Sequence, residues 1–293
     1  IYTKILVGSV RCVKETDLNP NDTLIKLDAI KTSLQRGQIP IGEIRLGIYG
    51  NEDPMYILAG LPFIAPDYSS AWLLKDVQME YLQEKFDKKG LMILYTAPWP
   101  GQGFYTKFPV NSVSDFSGKK LRIYSTATQQ MGSMLGFNAT ILPFAEIPQA
   151  FSTGLIEALF TSPQTGIDIQ AWDNTKHFTY AGAIFSKNAV VVTKKAFNAL
   201  SKGDQSNMLA AAKKAELRGW EMSAETTKKQ IDILKKNGMS SKNAPDEVIS
   251  KMKSIGLEMM KNWRSKASPE ANAVLDRYLS CLLYTSDAAD EDL

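Results

Sequence analysis

Apolar residues at Ile25, Leu27, Ile30 and Leu34 fall at the spacing that lines one face of a helix, and Gly37 stands where a left-handed residue would close it. The period then changes. Ile39 and Ile41, followed by Ile44, Leu46 and Ile48, alternate as in a strand that ends at the polar turn Gly50-Asn51-Glu52-Asp53-Pro54. Trp72, Leu73, Val77, Tyr81, Leu82 and Phe86 mark the apolar side of a helix from Ala71 to about Lys89, with Ser70 as its cap and Gly90 as its stop. A buried strand at Leu91–Tyr95, a Pro/Gly-rich loop through Pro98-Trp99-Pro100-Gly101-Gln102-Gly103 and a short strand near Phe104–Lys107 complete this stretch.

The alternation continues. A strand at Leu121–Tyr124 leads, through Ser125 or Thr126 as cap, into a helix over Ala127–Leu135 that Gly136 ends. Ala139–Leu142 reads as a strand, Phe144–Ser152 as a helix closed by Gly154, and Ile156–Thr161 as another strand. Ala189–Thr193 is apolar on both faces and is expected at the centre of a sheet. Beyond it a long helix is predicted from Ser206 or Asn207 to Asn237, and an amphipathic helix over Pro245–Ala267. Strands alternating with helices predict a mostly parallel α/β sheet.

The 293 residues are 44% hydrophobic and 22% charged, which fits about two domains with a substantial core. No window approaches the apolar length of a membrane-spanning helix, and the mean hydropathy is −0.19. The net charge of +3 comes without a Lys/Arg cluster interleaved with aromatics, so a nucleic-acid footprint is missing. Residues 1–16 lack an initiator Met and a full signal-peptide pattern and read as a truncated gene start; Cys281–Leu293 resembles a translated sequencing-adapter tail, with the credible chain stopping near Ser280. Both cysteines, Cys12 and Cys281, fall in these ends. The body therefore offers no thiol chemistry, which agrees weakly with an oxidising compartment.

Gly101-Gln102-Gly103 precedes a strand and lacks a third glycine, so it is no dinucleotide fingerprint. The sequence carries no cofactor motif and one histidine, His177, too few for a histidine-built metal site or a Ser-His-Asp triad. Arg122 is the candidate that chemistry picks out. It lies on a strand just before the turn into a helix, where open α/β sheets collect ligands, and a guanidinium presents two parallel donors to a carboxylate. From the pattern alone it stands between that role and a surface strand arginine. Loop positions add Tyr49 and Asn51 at the end of a strand, Trp99 and Gln102 in the Pro/Gly loop, Phe144 entering a helix, Trp172, and Asn188 at a strand start. Tyr49, Phe144 and Trp172 read first as core, whereas the Pro-flanked loop around Trp99 makes burial in a regular core awkward; Gln102 reads also as solvated and Asn188 equally as a strand cap.

Several segments, taken in order, resemble the DctP-like substrate-binding proteins of TRAP (tripartite ATP-independent periplasmic) transporters. They are Asn21-Asp-Thr-Leu-Ile-Lys, Tyr49-Gly-Asn-Glu-Asp-Pro with Leu61-Pro-Phe, Gly118-Lys-Lys-Leu-Arg122, the run from Pro143 through Gly154-Leu-Ile-Glu157, and Trp220-Glu-Met-Ser. The likeness spans about Leu18 to Tyr278. It implies a two-lobed α/β periplasmic binding-protein fold with hinge strands and a long lobe-spanning helix: residues 17–99 and 188–229 in lobe I, 100–187 and 230–280 in lobe II. It also implies that Arg122 pairs with a ligand carboxylate, with Ser162 standing where relatives often carry Asn. Where many relatives read Gly-x-x-Asp-Gly, this chain reads Gly154-Leu-Ile-Glu157-Ala158.

The expected function is extracytoplasmic, in the periplasm: capture of a small organic acid by cleft closure and delivery to the membrane permease subunits of a TRAP transporter. No catalytic residue, cofactor or metal is expected. The alternatives are an extracytoplasmic enzyme built on carboxylates around Glu52/Asp53 or Glu157, and a sensory ligand-binding domain.

Overall fold

A computed structural model describes residues 17–20 and 23–290. The leader with Cys12, the Asn21-Asp22 pair and residues 291–293 lie outside the described residues. In chain order the strands are β1 (Ile41–Arg45), β2 (Leu91–Pro98), β3 (Gly103–Thr106), β4 (Lys120–Ile123), β5 (Asn138–Ile141), β6 (Ala158–Thr161), β7 (His177–Tyr180), β8 (Lys187–Thr193) and β9 (Ser240–Asn243). The helices are α1 (Ile30–Gln35), α2 (Tyr68–Asp87), α3 (Thr126–Met134), α4 (Ile147–Ser152), α5 (Pro163–Asp168), α6 (Lys194–Asn198), α7 (Lys202–Lys236), α8 (Asp246–Lys266) and α9 (Pro269–Asp290).

The described residues divide into two units. The first holds those up to Leu46, Glu80–Pro98 and Lys187–Ser223; the second holds Gly47–Met79, Trp99–Ser186 and the chain from Ala224 onward. Residues 47–79, expected with lobe I, group with the second unit, and α7 contributes 202–223 to one and 224–236 to the other.

In the first unit three strands pair antiparallel in the order β1-β8-β2. Every residue of β8 is buried, because Ala189, Val190, Val191 and Val192 have a strand on both sides and no wet face. The central placement expected for this apolar run holds. On β2, the Thr96 amide and hydroxyl both donate to the Glu216 carboxylate of α7, at 2.9 and 2.7 Å, and Trp220 Nε1 donates to Thr96 Oγ1 at 3.3 Å.

In the second unit six strands run in the order β5-β4-β6-β3-β7-β9. β4 is parallel to β5 and β6, and β7 to β9, while β3 is antiparallel to both β6 and β7. The expected mostly parallel arrangement holds in this sheet, where β3 alone is reversed, and is corrected for the first unit, whose three strands are all antiparallel. Parallel pairing needs a crossover such as α3 between β4 and β5, and β3 is inserted in the opposite direction. Successive residues of β3 serve opposite faces. Phe104 packs with Phe116, Phe137 and Phe160 at ring separations of 4.9, 5.8 and 4.9 Å, and Tyr105 packs with Phe178 at 4.5 Å.

Three boundaries differ from the sequence reading. β1 stops at Arg45, and Leu46–Tyr49 forms a 3-10 turn; Ile44, Leu46 and Tyr49 are buried, so the apparent alternation passes into a three-residue period. Tyr49 therefore closes a turn and Asn51 follows it, and neither ends a strand. α2 starts at Tyr68, two residues before Ser70, and its first turn is held by Asp67, whose Oδ1 accepts from Ser70 N at 2.8 Å and Ser69 Oγ at 2.7 Å. α9 continues through the expected stop at Ser280 to Asp290.

Candidate functional site

The carboxyl ends of β4, β5 and β6 share one edge of the six-stranded sheet, since these strands are parallel. β3 runs the other way, and Gly103 pairs with Thr161 at the end of β6 and with Tyr180 at the end of β7, so the residue before it, Gln102, reaches the same edge. Gly103 must be glycine here, because a Cβ would lie 2.4 Å from the Thr179 carbonyl oxygen.

Arg122, the penultimate residue of β4, is 2% exposed. Its Nε donates to the carbonyl of Leu142, the residue after β5, at 3.1 Å, which aims the guanidinium toward this edge. Tyr124 lies two residues further, and its ring centroid is 6.0 Å from the Arg122 guanidinium carbon. The Tyr124 hydroxyl donates to Gln102 Oε1 at 2.6 Å, and Gln102 Nε2 donates to Ser186 Oγ at 3.0 Å. The backbone oxygen of Gln102 accepts from Ala181 N and Gly182 N. Gln102 is only 2% exposed, so its solvated alternative is corrected: the amide is oriented at both ends by protein partners.

Ser162 follows β6 at this edge and is buried. Its Oγ accepts from Thr165 N at 3.2 Å, capping α5. Tyr105 Oη donates to the Ser162 carbonyl at 3.2 Å. Complete burial, with the Asp168 charge adding to it, pushes the Tyr105 phenol well above its ordinary pKa and keeps it a neutral donor. Behind α5, Gln230 of α7 donates to Gln164 Oε1 at 2.9 Å, and Gln164 Nε2 donates to Asp168 Oδ1 at 2.7 Å. At the start of α3, Ser125 Oγ accepts from Thr128 N at 3.2 Å, the capping role expected for Ser125.

The structure thus brings Arg122, Gln102 and Ser162 to one sheet edge and adds Tyr124 and Ser186, which sequence reasoning missed. Tyr124 had a signal: two positions beyond Arg122, the pleat puts it on the same side. Ser186 had none, being 84 residues from Gln102. Of the other candidates, Trp99 adjoins Ser186 and Phe144 follows β5 at the same edge. Trp99 is half-buried directly after β2, its backbone N donating to Ser186 O at 2.8 Å. Phe144 is 39% exposed and faces a cleft of about 440 Å³ with Pro148, Asp168 and Gln170. Trp172 packs on the core cluster around Tyr105 and Phe178, its core reading. Tyr49 is buried and Asn51 exposed. Asn188 belongs to the first unit, where its Nδ2 donates to Glu43 Oε1 at 2.7 Å.

The carboxylates considered for an enzyme have structural duties. Asp53 Oδ1 accepts from Met55 N at 2.9 Å at the head of a 3-10 turn, and Glu157 accepts from Lys120 N at 3.3 Å. Among the described residues no helix is long and apolar enough to cross a membrane, and no three His, Cys, Asp or Glu side chains are grouped to hold a metal ion.

Residues 14–266 match the family described as bacterial extracellular solute-binding protein, family 7, or DctP. The chain is similar to the crystal structure of DctP7, a Bordetella pertussis extracytoplasmic solute receptor binding pyroglutamic acid: 37% identity, 88% of this chain and 86% of that one covered, TM-score 0.86. It is similar to a marine metagenome TRAP solute-binding protein specific for pyroglutamate, at 32% identity, 88% and 85% coverage and a TM-score of 0.84. A solute-binding protein of Albidiferax ferrireducens is 25% identical over 273 residues, 83% of this chain and 80% of the relative. With a match over most of its length, the chain belongs to the DctP family, the two-lobed extracytoplasmic solute-binding receptors of TRAP transporters.

Proposed function

We propose that this chain captures a small organic acid in the periplasm, its carboxylate on Arg122, by a closure that raises the liganded population, and passes it to the permease subunits of a TRAP transporter. The observation that carries this reading is the buried guanidinium of Arg122, fixed through Nε to Leu142 O at the carboxyl edge of the sheet. A buried arginine oriented through Nε has its planar fork set in a defined direction, which suits two-point recognition of a carboxylate. Two relatives more than 30% identical bind pyroglutamate, so that acid is the first ligand to try. Ligand-linked closure needs only differential affinity for the closed state, with no covalent step.

The test is a thermal-shift and calorimetric screen of the full chain against pyroglutamate and a panel of mono- and dicarboxylates, hydroxy acids, keto acids and sugar acids. Ligand at 100 times its Kd adds about 2.7 kcal/mol of stability by mass action, a rise of several degrees. Arg122→Ala, with its fold checked by circular dichroism, is expected to lose most of that rise. If the variant responds like the wild type to every hit, Arg122 is not the anchor.

A further inference from the structure

Around Arg122, the five strands β3 to β7 carry no further charge close to their ends on this edge; β9, parallel to β7 at the far end of the sheet, leaves toward Asp246. β4 leaves the edge through Tyr124-Ser125-Thr126, β5 through Leu142-Pro143-Phe144, β6 through Ser162-Pro163-Gln164 and β7 through Ala181-Gly182-Ala183, and β3 arrives through Pro100-Gly101-Gln102. Within three residues of those strand ends, outside the strands themselves, there is no Asp, Glu, Lys or Arg. The polar side chains nearest Arg122 on this edge are neutral and committed. Tyr124 donates to Gln102, Gln102 donates to Ser186, and all of Tyr124, Gln102 and Ser162 are buried.

From this we propose that the site selects a monoanion: a monocarboxylate whose remaining polar atoms are neutral, of the amide, lactam or hydroxyl kind, with dicarboxylates discriminated against. The inference rests on the carboxylate-capture reading and adds to it the charge of the ligand. One guanidinium balances one carboxylate. A second carboxylate buried beside a phenol, a carboxamide and a serine hydroxyl loses its hydration without a counter-charge, whereas an amide in its place meets groups that donate and accept.

The experiment compares isosteric pairs on the wild-type chain by calorimetry: succinamate against succinate and glutaramate against glutarate, alongside the ranking of mono- and dianions in the acid panel. The monoanion of a pair is expected to bind about tenfold tighter or more, the consequence of leaving one charge without a partner. Monoanions should also head the panel. Lowering the pH until the second carboxyl of the diacid is protonated should narrow the gap. Gln102→Lys, which brings a second cation to the edge, should shift the ratio toward the diacid. A dicarboxylate that binds as tightly as its half-amide, or that heads the panel, overturns the single-charge inference while leaving acid capture intact. A panel in which no acid binds overturns the capture reading instead.

Discussion

The hydroxyl of Tyr124 donates to Gln102 Oε1 at 2.6 Å, joining the exit of β4 to the residue before β3, two strands that are not neighbours in the sheet. Both side chains are buried, so removing the donor leaves the Gln102 oxygen unsatisfied with no compensating water exposure. Tyr124→Phe is expected to lower the unfolding free energy by about 1–3 kcal/mol, the cost of a stranded buried acceptor. Because the amide is then held only through Ser186, ligand affinity should fall as well. Urea denaturation gives the first quantity and calorimetry with the best acid of the panel gives the second; an unchanged value for both would mean that the pair neither stabilises the edge nor orients the amide.

Arg122→Lys separates charge from geometry. The ammonium keeps the positive charge of Arg122 but loses the planar fork and the Nε bond to Leu142 O. Acid binding should weaken about tenfold or more while remaining measurable, falling between wild type and Arg122→Ala. Equal affinities for Arg and Lys would show that a point charge suffices and that the two-pronged geometry is irrelevant.

The place of Arg122 near the end of a strand that turns into a helix was legible because strand, turn and helix capping are local signals. β8 was legible for a similar reason: only a strand covered on both sides carries such an unbroken apolar run. What escaped was set by tertiary pairing. β9 reads Ser-Ser-Lys-Asn and is a strand only because β7 offers it a parallel partner, and the six-residue α5 is too short to show a period. The Gln102 orientation depends on Tyr124 and Ser186, distant in sequence, so a loop glutamine looked solvated. Phe144 and Trp172 show the opposite limit: an aromatic near a strand end has the same local signature whether it lines an open cleft or packs on the core.

The start of α2 gives a test in which two neighbouring candidates part company. Asp67 Oδ1 takes both the Ser70 amide and the Ser69 hydroxyl, so Asp67→Ala should cost about 1 kcal/mol, and Ser70→Ala, which keeps the backbone amide, less. Burial alone would raise the Asp67 pKa, but the hydrogen bonds from Ser70 and Ser69 together outweigh it and hold the carboxyl below its ordinary 3.8. A folded-state pKa below the unfolded one contributes stability that is fully present above the unfolded value and is lost as pH falls through the folded one. The gap between wild type and Asp67→Ala in chemical denaturation should therefore be constant from neutrality down to about pH 4 and shrink below it. A gap that persists unchanged at pH 2 would remove the ionised carboxylate from the account.

Two helical glycines predict substitutions of opposite sign. Ala in place of Gly inside a helix is worth about 1 kcal/mol when nothing else changes. At Gly219 of α7 an added Cβ meets nothing within 4 Å, so Gly219→Ala should raise the urea midpoint by up to that amount. At Gly256 of α8 the same atom would lie 2.0 Å from the Pro62 carbonyl oxygen, and a backbone atom has no rotamer by which to move aside. Overpacking of this kind costs about 1–3 kcal/mol, and at so short a distance the upper part of that range applies. Packing then exceeds propensity, and Gly256→Ala should lower the midpoint, with the loop before α2 becoming more accessible to protease. Two stabilising substitutions would mean that α8 does not press against Pro62; two destabilising ones would mean that α7 near Trp220 is held against something that the open space at Gly219 does not reveal.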